Sequence, residues 1–166
     1  MRVALAIALP LLAALLQAAI VPFIAAGDVR PNLPLLVAAS WAVAAGAAEA
    51  CWWAFVGGLA ADLVSGGPLG AFAVASLPAV AGVGLGERPL ARPIPILAGV
   101  VFVTLAAVIA GLLYVGILAL VGQPLPEPLA LLIATFGGAL YTGVLAFAVY
   151  PVARWLRRVT EQDSPF

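Results

Sequence analysis

Asp62 closes an apolar run and directly precedes a cluster of turn formers, in the segment GGLAADLVSGGPLG at residues 57–70. A carboxylate placed there can bind a cation or a polar substrate, or it can fix structure by pairing with a nearby charge. The ligand reading lacks a second acidic ligand close in sequence. The structural reading has a partner to hand, because Arg30 and Asn32 open the preceding apolar helix on the same side of the membrane. The expectation is therefore a clamp, with an Arg30–Asp62 ion pair offsetting part of the desolvation of both groups. Ser65, Gly66, Gly67 and Pro68 supply the turn beside it.

Other chemistry is sparse. The chain has no histidine and no lysine, which removes imidazole bases, histidine metal ligands, Schiff-base lysines and phosphate-binding P-loop lysines. No G-x-S-x-G elbow and no serine–lysine pair occur, and no two carboxylates share a helix face for acid–base work. Cys51 is single and forms no internal disulfide. The stretch GVGLGERP has glycine spacing but neither the preceding strand nor the following helix of a dinucleotide site. No catalytic residue, cofactor site or metal site is expected. Seven basic and seven acidic residues cancel, so no basic surface attracts nucleic acid.

The elements that must carry these residues are membrane helices. Of 166 residues, 66% are hydrophobic and 8% charged, too few charges to cover a soluble domain. The N-terminal apolar run is longer than a signal-peptide core, so it is expected to stay as a first membrane helix. Residues 33–64 form one long apolar stretch. A single helix there would be about 48 Å long, well beyond a hydrocarbon core of about 30 Å, and would carry Glu49 near its middle. Two short helices resolve both problems. The reading is an all-α integral membrane protein of one domain with six helices, at about residues 3–26, 33–47, 50–64, 69–86, 94–121 and 129–152. A tail at 153–166 follows, and five helices are the alternative.

With six helices, Arg2, Arg88, Arg92, Arg154, Arg157 and Arg158 fall on one face and Arg30 alone on the other. The positive-inside rule makes the first face cytoplasmic, with both termini inside. Trp52, Trp53 and Trp155 are expected as interfacial anchors, and Arg154, Arg157 and Arg158 as contacts to lipid headgroups. Abundant glycine allows close helix approach, where packing and not hydrophobicity drives association in lipid. Polar groups inside the spans are few: Gln17, Ser40, Ser76, Thr104, Tyr114, Thr135, Tyr141 and Thr142.

RPNLPLLVAASW at residues 30–41, followed about 20 residues later by GGLAADLVSGGPLG, resembles the rod-shape-determining protein MreD family. That family carries a proline–Asn/Asp start to its second helix, then a G-x-x-x-D-L-x-x-G-x-x-L-G-like segment. Here these are Pro31 and Asn32, then Gly58, Asp62, Leu63, Gly66 or Gly67, Leu69 and Gly70. The specific likeness spans residues 30–86. GAAEACWWAFVGG departs from it, with Phe55 before Val56 where the family often has a Gly-Phe pair. The resemblance implies a bacterial cytoplasmic-membrane protein without enzymatic activity, partnered by the single-span protein MreC. Through MreC it implies links to MreB filaments, RodA and a class B penicillin-binding protein in side-wall peptidoglycan synthesis. It also implies a fold similar to the substrate-binding subunits of energy-coupling-factor vitamin transporters, which makes such a subunit the alternative function. Arg30, Pro31, Asn32, Gly58, Asp62, Ser65, Gly66, Gly67, Leu69 and Gly70 are the candidate structural or partner-binding residues.

Overall fold

A computed structural model describes residues 2–85 and 94–162, with side chains from Ala6 to Thr160. Gly86, Glu87, Arg88 and Arg92 lie outside the described residues, as does the side chain of Arg2. Seven α-helices and no strand occur among the described residues. Their order is α1 Arg2–Ala19, α2 Val21–Ile24, α3 Leu33–Ala45, α4 Ala47–Ser65, α5 Ala71–Gly84, α6 Ile96–Leu120 and α7 Pro128–Gln162. Three are long and apolar enough to cross a membrane: Ala47–Ser65, Ile96–Leu120 and Pro128–Thr160.

Local chemistry sets the boundaries. The first apolar run breaks at Ile20, and Pro22 sits in the first turn of α2, where its missing N–H costs nothing. Residues 26–29 close a tight turn, in which the Ala26 and Val29 amides each donate to the other's carbonyl at 3.1 and 3.2 Å. Gly27 takes φ +63° there, a conformation strained for any residue with a Cβ. Gly46, at φ +107°, alone divides α3 from α4. Hence the expected break in the 33–64 stretch exists but spans one residue, and Glu49 lies in the first turn of α4. At the other end of the chain α7 continues past Val152 as helix to Gln162, because nothing after Pro151 interrupts its backbone bonding. Its 35 residues make it about 52 Å long.

The arrangement is inverted relative to a soluble protein. α3 is central, touching α1, α4, α5, α6 and α7, with ten of its 13 residues buried. Alanine dominates this interior: Ala38, Ala39, Ala42, Ala50, Ala75 and Ala106 are fully covered. Large aliphatics such as Leu15, Leu97, Leu129 and Leu140 face outward and are 60% exposed or more. Small residues inside let backbones approach and gain dispersion contacts that lipid chains match poorly, while leucine meets lipid without penalty. The glycines show the same logic. A Cβ on Gly58 would lie 2.6 Å from the Ala73 Cα, and one on Gly84 would lie 2.7 Å from the Ala47 Cα, so α4 and α5 touch backbone to backbone at both ends. Along α6 and α7, Gly99 lies against the Tyr150 ring, Gly143 against Thr104 and Gly111 against Thr135.

Candidate functional site

Three connections gather at one end of the bundle: residues 25–32, 66–70 and 121–127. A cavity of about 470 Å³ lies there, lined by residues of the first and third connections and by the end of α4. Both matched motif segments reach it, the first through Arg30, Pro31 and Asn32 and the second through Asp62 and Ser65.

Asp62 is 1% exposed, and its partners answer why an acid is kept in an apolar helix. Its Oδ1 and Oδ2 accept the Phe72 amide at 3.2 and 3.1 Å, and Oδ2 accepts the Ala73 amide at 3.4 Å. Those are the second and third residues of α5, whose N-cap Gly70 has no side chain to offer. A serine or aspartate at the cap normally satisfies these two amides. Here the acceptor comes from the preceding helix, reaching across the hairpin, and its charge complements the positive end of the α5 dipole. The Arg30–Asp62 ion pair expected from sequence does not form. The carboxylate oxygens are committed to backbone amides, and the Arg30 side chain is exposed. Gly66 ends α4 in the left-handed region at φ +70°, Gly70 follows at φ +85°, and Leu69 is 69% exposed between them.

The first motif segment is held from both sides. Gln17 of α1 donates through Nε2 to the Pro31 carbonyl at 3.0 Å and accepts the Leu33 amide through Oε1 at 2.8 Å. Thr142 of α7 accepts the Asn32 amide at 3.0 Å while donating to the Gly138 carbonyl at 2.7 Å. Asn32 Oδ1 then accepts the Leu35 amide at 3.1 Å and caps α3. The adjacent pair Gly137–Gly138 makes room for this loop, since a Cβ on Gly138 would sit 2.7 Å from the Arg30 carbonyl oxygen. In the sequence Gln17 and Thr142 stand only as isolated polar groups within spans. Their shared partner segment was not evident there, because Thr142 lies 110 residues from Asn32.

The opposite end carries the basic residues of α7. Arg154 Nη1 donates to the Ile94 carbonyl at 3.4 Å and lies 5.8 Å from the Tyr150 ring centroid, and the Tyr150 hydroxyl donates to the same carbonyl at 3.0 Å. Arg157 donates to the Ala44 carbonyl at the end of α3. Trp155 and Arg158 are exposed. Trp52 is half exposed, whereas Trp53 does not join it in an interfacial belt. Trp53 is 2% exposed and stacks on Trp41 with centroids 4.6 Å apart, because α3 and α4 fold back on each other at Gly46. Trp41 Nε1 in turn donates to Glu49 at 3.1 Å.

Among the described residues no group of three or more Cys, Asp and Glu side chains is placed to hold a metal ion. The geometry at both ends is one of helix termini and loops locked by hydrogen bonds. A family model described as rod shape-determining protein MreD matches residues 1–150. No curated protein and no solved structure matches, so the transporter alternative receives no support from these comparisons.

Proposed function

The chain belongs to the rod shape-determining protein MreD family, and from that membership we propose a six-span, non-catalytic scaffold of the bacterial cytoplasmic membrane. Its task is to bind the transmembrane and juxtamembrane part of MreC. Through MreC it supports side-wall peptidoglycan synthesis with MreB, RodA and a class B penicillin-binding protein. The carrying observation is that the two motif segments, residues 30–41 and 57–70, line one cavity at one end of the bundle. The positive-inside rule supports reading that end as external, because Arg154, Arg157 and Arg158 lie at the opposite end. Rigid loops there lower the entropy lost when a partner segment docks. The partner's membrane helix packs on a face where small residues permit close approach.

Leu69→Arg tests this reading, since Leu69 is exposed and its replacement alters the loop surface without touching the core. The expected result is loss of co-purification with MreC and rounding of rod-shaped cells, at unchanged protein level and monodispersity. Gly66→Leu, which reshapes the same loop, should act alike. Full retention of MreC and of rod shape by both variants would remove the external loops from the interface.

A further inference from the structure

The cavity carries hydrogen-bond donors that the fold itself does not use. Four threonines lie on α6 and α7. Thr104, Thr142 and Thr160 donate to carbonyls four residues back, at 2.9, 2.7 and 3.0 Å. Thr135, which lines the cavity, makes no such bond. Its methyl group is turned to Gly111, where a Cβ would meet it at 2.8 Å. Tyr114, also on the lining and half buried, packs its ring edge against Phe72 at a 5.9 Å centroid distance, and its hydroxyl has no hydrogen-bond partner among the described residues. Arg30 on the rim has neither an ion pair nor a side-chain hydrogen bond among them. Three donors without a hydrogen-bond partner among the described residues, one of them cationic, therefore border one space; Asp62, whose charge acts on Tyr114, also lines it, with its oxygens engaged by α5 amides.

The rest of the wall is apolar, formed by Ala107, Val115, Leu118, Leu131 and Ala134. A volume of about 470 Å³ lies in the range of small-molecule sites. An unpaired guanidinium with neighbouring hydroxyls selects an oxyanion, and apolar walls select a ligand with a hydrocarbon body. Asp28, on the rim, is exposed to water, which screens its repulsion. We infer that this cavity binds a lipid with an anionic headgroup, whose phosphate or carboxylate is held by Arg30, Tyr114 and Thr135 and whose chain lies along α6 and α7. The inference rests on the free donors and stands apart from the MreC reading, because it concerns what fills the cavity and not what meets the loops.

Native mass spectrometry of the full chain tests it, after reconstitution in nanodiscs of phosphatidylcholine with or without phosphatidylglycerol. One phosphatidylglycerol per chain should survive release and phosphatidylcholine should not. Arg30→Gln should cut the retained fraction about tenfold, the loss expected for one charge-assisted contact. Thr135→Val, nearly isosteric, should lower retention severalfold with the fold intact, and it decides the matter if the arginine variant misfolds. Ala134→Phe should fill the space and abolish retention without changing charge. Equal retention of both lipids, or unaltered retention in Arg30→Gln and Thr135→Val, overturns the inference. So does displacement by excess inorganic phosphate with no preference for lipid. Protection gained solely from an MreC juxtamembrane peptide would assign the cavity to a protein segment and overturn it as well.

Discussion

Removing the Asp62 carboxylate should unfasten the α4–α5 hairpin more than any other single side-chain truncation in the loop region. Asp62→Ala leaves the Phe72 and Ala73 amides without their acceptor at the start of α5. An unsatisfied buried donor costs about 1–3 kcal/mol, and losing an N-cap costs about 0.5–2 kcal/mol. Water entering from the neighbouring cavity relieves part of this, so a total near ~3 kcal/mol is expected. For a chain of this size each kcal/mol moves the midpoint by about 2–4 °C, giving a fall of roughly 6–12 °C. Asp62→Asn keeps one acceptor oxygen but loses the charge and turns an NH2 group toward donors, so its cost should be about half, near ~1.5 kcal/mol. The assay is thermal unfolding in detergent, combined with hydrogen exchange at Phe72 and Ala73. The ordering wild type above asparagine above alanine is required, with faster exchange at those two amides. A midpoint within 1–2 °C of wild type for both variants, with both amides still protected, would refute the capping role and return Asp62 to the pool of candidate ligands.

Four further outcomes follow from the packing. Gly58→Val should destabilise by at least ~2 kcal/mol in detergent unfolding, because its Cβ meets the Ala73 backbone at 2.6 Å and neither helix can yield locally. Gly82→Ala, by contrast, should be neutral or stabilise by up to ~1 kcal/mol, since among the described residues nothing lies within 4 Å of the added carbon and a flexible helix residue is removed. Thr142→Val should cost about 1–3 kcal/mol by stranding the Asn32 amide, and proteolysis within residues 25–32 should quicken. Ser40→Ala should leave the melting temperature unchanged or raise it, because the Ser40 hydroxyl is fully buried and has no hydrogen-bond partner among the described residues.

The reach of sequence reading differs by residue for physical reasons. Turns rich in Gly, Pro and charge, such as SGGPLG and GQPLPE, carry their own conformational preference and mark helix ends within a few residues. The division of residues 33–64 follows from its length and from Glu49 near its middle. Its position at Gly46 was less visible, because alanine on both sides offers no competing local signal. Asp62 was legible as a clamp, yet its partner was mistaken. A sequence displays charged side chains but not the backbone donors that a helix leaves free at its start. An aromatic ring such as that of Trp53 suits both a lipid boundary and a tight core, and only the stacking on Trp41 separates the two. The clamp made by Gln17 and Thr142 needs two helices brought together from opposite ends of the chain, so no local pattern announces it.

The cross-hairpin cap also bears on how the polypeptide enters the bilayer during translation. α4 is the least apolar of the three long helices, and the amides that quiet its acid belong to residues 72 and 73, still inside the exit tunnel when Asp62 emerges from the ribosome. Until they appear, the translocon holds a segment ill suited to partition by itself. Residues 47–84 should therefore pass into lipid together, as one paired insertion and not as two successive ones.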